Sequence, residues 1–183
     1  MKFILSIILS TLLIGCSNNK ISKDTLVEAT LMDNVPGDVS IGLNDNVSLE
    51  DAANYIYSFN NISINSIVGF QYYSDLPKES LDTLKSALES KTYIMNGTVY
   101  TSYIDSLSKI MVEFSIGKFS YADIRDWESF KEQFLLTHLP YHYQGGLLKV
   151  DLGKEYRWIQ FLSKSGLFRF VELNYITHVD WNI

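Results

Sequence analysis

The chain has 183 residues, a length that suits one domain, and its 46% hydrophobic and 14% aromatic residues are ample for a packed interior, which excludes a disordered chain. Its formal charge of −6, one unit more negative if Lys2 is removed, repels phosphate backbones and anionic headgroups, so nucleic acid is excluded as a ligand. The only cysteine is Cys16, which excludes both a disulfide framework and a cysteine-ligated metal site.

At the start of the chain, Lys2 supplies a positive charge and Phe3 to Leu13 (FILSIILSTLL) an apolar run too short to span a bilayer. Leu13-Ile14-Gly15-Cys16 closes that run with small or apolar residues. An ordinary cleaved signal followed by a chance cysteine is the plainer alternative, but LIGC resembles the lipobox of bacterial lipoproteins. The resemblance implies cleavage before Cys16 and acyl chains, palmitate among them, that hold the protein on a membrane of the cell envelope; three such chains anchor far more firmly than one. Residues 1–15 are then the signal peptide, 16–34 a lipidated N terminus and tether, and 35–183 a single α+β domain. Ser17 in place of an aspartate resembles the sorting signal for the outer membrane. Ser17-Asn18-Asn19-Lys20 lacks the acidic cluster that resembles a surface-export tag, which points to the periplasmic face.

The tether (SNNKISKDTLVEATLMDN) is polar, and Val35-Pro36-Gly37-Asp38 reads as a turn. Val39, Ile41 and Leu43 alternate with Ser40 and Gly42, the period of a half-buried strand. Asn44-Asp45-Asn46 turns the chain, and Ser48 with Asp51 caps a helix striped by Leu49, Ala52, Ala53 and Ile56. A second strand follows Asn60-Asn61, with Ile62, Ile64, Val68, Phe70 and Tyr72 expected on one face. Pro77 opens a helix that carries Leu81, Leu84 and Leu88 inward and ends near Lys91. Asn96-Gly97 is placed to turn a hairpin between Thr92–Met95 and Thr98–Ile104, and Ile110, Val112, Phe114 and Ile116 form the next strand. Ser120 with Asp123 caps a helix striped by Ile124, Trp127, Phe130 and Phe134 and ended by Leu139-Pro140. Leu148, Val150 and Leu152 alternate, Lys154 to Ser163 fit a helix, Gly166 stops it, and Leu167 to Ile176 is a β-prone run. The chain thus opens and closes with strand–helix–strand units. Two such units in tandem predict an α+β fold, a ferredoxin-like split βαβ sheet, with an inserted helix-strand-strand-helix block over residues 76–144.

No G-x-S-x-G elbow is present to activate a serine, so a hydrolase is the weakest reading and we expect no enzyme. His138 and His142 have the four-residue spacing of helical metal ligands, but Pro140 between them breaks the helix; no metal and no cofactor is assigned. Glu113, Glu128, Glu132, Asp151 and Glu172 either supply a glycosidase acid and base pair or, more simply, form the solvated side of a helix or strand. In Tyr141-His142-Tyr143-Gln144-Gly145-Gly146, Tyr141 and Tyr143 either stack on a sugar or peptide or pack over the sheet edge. Tyr72, Tyr73, Trp127 and Trp158 read as core or rim. In the tail Thr177 to Ile183, Val179 and Trp181 either extend the last strand or lie as an added strand in a partner's cleft.

Gly146 to Ile176, ending in Glu172 and Asn174 as E-x-N, looks like the closing half of subtilisin-type propeptides and related protease inhibitors. Val35-Pro36-Gly37-Asp38-Val39 and Ser48-Leu49-Glu50-Asp51-Ala52 are similar to the opening half of the same domains. The inserted block departs from that compact pattern. The whole layout also resembles a class of lipoproteins from Bacteroides-like bacteria, a resemblance that brings no activity with it. Together these imply a membrane-tethered protein- or peptide-binding module, propeptide-like in how its sheet or tail meets a protease; the alternative is a lipoprotein that binds a glycan or small ligand through loop aromatics.

Overall fold

The computed structural model describes residues 33–176. Cys16, the signal, most of the tether, and Val179 and Trp181 of the tail lie outside the described residues. What it shows is a mixed α+β architecture: seven strands in one antiparallel sheet with four α-helices. No described helix is long and apolar enough to cross a membrane.

Strand β1 (Asn34–Leu43) leads through a turn to helix α1 (Leu49–Ile56) and strand β2 (Ile62–Ser74). The alternation in β1 holds, with Val39, Ile41 and Leu43 buried. Val35-Pro36-Gly37 is not a turn ahead of the domain but an irregular part of β1. Asn34 pairs with Tyr175, the register shifts before Val39, and Gly37 takes φ +78°, so the strand absorbs a proline that cannot donate to a ladder. At α1 the capping box closes as its sequence demands: the Ser48 hydroxyl accepts from the Asp51 amide at 3.2 Å, and the Asp51 carboxylate accepts from the Ser48 amide and hydroxyl.

Strand β2 departs from its expected face. Register shifts between Ile64 and Ser66 and between Ile67 and Phe70 each add a residue, so Ile67 is buried and Val68 is 44% exposed. Because side chains alternate with period two, one bulge is enough to move every later residue to the other face. After a 3-10 turn at Lys78–Ser80 come helix α2 (Leu81–Glu89), strand β3 (Tyr100–Ile104), strand β4 (Lys109–Gly117) and helix α3 (Tyr121–Gln133). The hairpin expected about Asn96-Gly97 does not form. Ile94 bridges Ile116 on β4 instead, and β3 begins only at Tyr100, where it pairs with β4. Helix α3 stops at Gln133, ahead of Leu139-Pro140, because Leu135 turns to φ +50° and Leu136–His138 form a short strand β5 along β2.

The closing unit is strand β6 (Gly145–Val150), helix α4 (Glu155–Leu162) and strand β7 (Phe168–Tyr175). The strand order is β3-β4-β2-β6-β1-β7, with β5 on the β6 side of β2. Thus β6 lies between β2 and β1 and joins the two terminal units in one sheet. The helices gather on one face, over Val39, Ile41, Leu43, Ile64, Ile67, Phe70, Tyr72, Val112 and Phe114. Helix α1 touches both α3 and β2, and α4 lies over β7 and β1.

Candidate binding surface

With all four helices on one side, none of the described helices covers the opposite face of the sheet. Strand register lays that face out in rows, since directly opposed residues point the same way. One row runs Val68, Gly145, Gly42, Phe170 across β2, β6, β1 and β7. The next runs Ser66, Leu147, Ser40, Glu172, and a third holds Ser63, Lys149 and Asp38, where Lys149 and Asp38 form an ion pair. The first row is a shallow trough floored by two glycines. A Cβ on Gly42 would stand 2.3 Å from the Phe170 ring, so only glycine lets that ring lie across β1. Val68 and Phe170, 44% and 40% exposed, flank the trough.

The loop 139–144 stands at the end of this trough. Its backbone is tied on three sides: the Leu139 amide donates to Gln71 at 2.9 Å, the Tyr141 amide to Asp45 at 3.2 Å, and Gln144 accepts from the Leu43 amide at 3.0 Å. Gly69, at φ +83°, lets β2 pass beneath, 3.1 Å from the Tyr143 carbonyl measured from where a Cβ would sit. The Asp45 carboxylate also holds the His142 ring at 3.0 Å and lies 3.7 Å from Arg169. The Arg169 guanidinium donates to the carbonyls of Leu43 and His142 and stacks over the Phe170 ring at 5.7 Å. Loop, β1–α1 turn and β7 are therefore pinned together at Asp45 and Arg169.

Of the two tyrosines singled out by sequence, Tyr141 is half-buried against the loop's base, while Tyr143 projects, 72% exposed, its ring 5.6 Å from that of Tyr141. His138 and His142 do not face each other. His142 pairs with Asp45, whereas His138 sits edge-on to Tyr72 and hydrogen-bonds the buried Gln144 amide nitrogen at 3.1 Å. Burial holds the His138 imidazole below its ordinary range, an effect only partly offset by Glu50 and Asp51. The neutral ring then accepts from Gln144. No group of three or more possible metal ligands occurs among the described residues.

Beneath the loop, on the helix side, Glu50 collects three donors: Tyr72 Oη at 3.2 Å, Trp127 Nε1 at 3.0 Å and the Lys131 ammonium. Burial by itself would raise the Glu50 carboxyl, but the hydrogen bonds from Lys131 and Trp127 outweigh it and hold the group below the usual carboxylate range. Tyr72 in turn accepts from the Leu49 amide at 3.2 Å. This network ties α1, β2 and α3 together. It was invisible in the sequence, where Glu50 was given no role of its own and Tyr72 and Trp127 read as core or rim; both are core. The carboxylates weighed as a glycosidase pair lie apart in role: Glu113 accepts from Gln71, Glu128 and Glu132 are exposed on α3, Asp151 is in the turn after β6, and Glu172 is on the open face.

Comparison of the chain with protein-family models, with curated proteins and with solved structures finds no match.

Proposed function

We propose that the protein is a lipid-anchored module of the bacterial cell envelope, held at the outer membrane through Cys16, that binds a protein or peptide across the open face of its sheet. The observation that carries this reading is the open face itself: four adjacent strands, two unbranched glycine positions, and the flanking side chains Val68, Leu147 and Phe170 with no described helix over them. A helix-free face with apolar side chains between polar rows is the kind of surface that partners cover.

The run β2-β6-β1-β7, antiparallel throughout, with α1 and α4 on one side, supports a ferredoxin-like split βαβ core into which residues 76–144 are inserted. That arrangement is in keeping with the propeptide resemblance, which supplies the class of partner: a subtilisin-like protease met by the sheet face, with Thr177 to Ile183 entering its cleft as an added strand. The chain acts by binding and not by catalysis. A second reading rests on Tyr143, whose projecting ring offers a stacking surface to a sugar.

The test is an inhibition assay of the chain from Ser17 onward against subtilisin-like proteases, with and without residues 177–183. Inhibition by the intact form that Phe170→Asp or Val68→Asp abolishes supports the face; no inhibition by either form removes the protease partner. Binding on a glycan array that Tyr143→Ala abolishes would replace this reading with the second. For the anchor, Cys16→Ala should abolish processing and membrane fractionation; a variant still cut at that bond and still membrane-bound contradicts lipidation.

A further inference from the structure

On the helix side, at the end of the sheet remote from the 139–144 loop, a cavity of about 250 Å³ opens between the turn after α1 and the outer side of α4. Three rings wall it. Phe59 meets Trp158 at 5.6 Å and Phe161 at 5.0 Å between centroids, and Trp158 meets Phe161 at 6.0 Å, all edge to face. Rings in that mutual contact form one continuous aromatic wall that offers both an edge and a face on its open side. Phe161 is 46% exposed, so part of this aromatic surface is in water.

Two cations share the same rim. Lys154, Arg157, Trp158 and Phe161 stand three and four residues apart, so the first turns of α4 carry both charges and both rings on one side. Among the described residues, neither the Lys154 ammonium nor the Arg157 guanidinium has an ionic partner. Asp151 and Asn61 complete the lining, leaving it with one net positive charge.

Each feature narrows the ligand. The rings favour an apolar or aromatic group of single-ring size, because burying it removes apolar surface from water on both sides. The unpaired guanidinium favours a carboxylate, which it meets in a bidentate fork. A sugar fits less well, since several hydroxyls would find only Asn61 and Asp151 to bond. We propose that this cavity binds the carboxylate end of a ring-bearing apolar group, either the C-terminal aromatic residue of a peptide or a free aromatic carboxylic acid. The cavity is formed by the helix side and does not depend on the open-face reading.

Equilibrium dialysis of the full-length chain in a non-ionic detergent, against labelled N-acetyl-L-phenylalanine, 3-phenylpropionate and N-acetyl-L-phenylalaninamide, tests it. At least one of the two carboxylates should bind saturably, and the amide about tenfold more weakly, the loss expected for one charge-assisted hydrogen bond. Tighter binding of the N-acetyl acid identifies a peptide C terminus as the source, and equal or tighter binding of 3-phenylpropionate a free acid. Arg157→Gln should lower carboxylate affinity about tenfold while leaving the amide unchanged. Phe161→Ala should weaken all three. Arg157 is exposed, so Arg157→Gln leaves the melting temperature in place as a check on folding. No saturable carboxylate binding, equal binding of acid and amide, or an unaffected Arg157→Gln variant would overturn the proposal.

Discussion

Gly146 and Gly42 sit on neighbouring strands, yet an alanine at each should differ sharply in cost. At Gly146 a Cβ would stand 2.0 Å from the Ser66 carbonyl oxygen and 2.7 Å from the Ile67 Cα, both backbone atoms of β2. To reach the 3.4 Å of ordinary contact, β6 and β2 must separate by more than about 1 Å, enough to break the ladder bonds on either side. Two or three bonds at about 1 kcal/mol each give a loss of about 2–3 kcal/mol. For a chain of this size that lowers the melting temperature by roughly 4–12 °C. At Gly42 the obstructing atoms belong to the Phe170 ring, which is 40% exposed and free to rotate into water. Gly42→Ala should therefore cost about 1 kcal/mol, the partial burial of one ring, while displacing Phe170 from the trough. Thermal unfolding of both variants, followed by circular dichroism, measures the difference. If Gly146→Ala melts within a degree or two of the parent, or if Gly42→Ala is the more damaging, the assignment of β6 as a tightly held central strand is refuted.

Three further outcomes follow from the contacts described. The folded-state pKa values of His138 and Glu50 are both depressed, so each group contributes stability above its unfolded value that is lost as pH falls toward its folded value. Urea midpoints should fall first below the ordinary histidine range and again below the ordinary carboxylate range; His138→Phe should flatten the first step, whereas Glu50→Gln should weaken the second and, by removing a charge that offsets the burial of His138, deepen the first, and a variant that leaves its own step intact assigns that step elsewhere. Arg169→Ala should raise amide hydrogen exchange across residues 139–144 with under about 1 kcal/mol of global loss, because exposed ion pairs contribute little; unchanged exchange would show that the loop holds itself. Truncation after Tyr143 removes the strand between β2 and β1 and should unfold the N-terminal half as well, which a cooperative melt of that fragment would contradict.

At the helix caps and apolar stripes, where the governing interactions span three or four residues, the amino-acid sequence determined the structure without help, although the equally local turn signal at Val35-Pro36-Gly37 was overridden by pairing with β7. Ser48 with Asp51 and Ser120 with Asp123 close their capping boxes, the apolar stripes of α1 and α3 face inward, and β1 alternates as written. The loop-like stretch read over residues 141–146 was legible as far as Gln144, whereas Gly145 and Gly146 belong to β6, and which of Tyr141 and Tyr143 projects was not legible at all. That was decided by Asp45, Gly69 and Arg169, residues that are remote in sequence. Likewise, the two bulges of β2 sent Val68 to the open face because its neighbours β4 and β6 fix its register. The Glu50 network joins residues up to 81 positions apart, and the bond from the Gly37 amide to Glu155 joins residues 118 apart. Local propensity is a property of neighbouring residues and survives in any fold. Strand order, bulges and buried polar partners are instead set by which segments compete for the same core, a competition that only the assembled chain resolves.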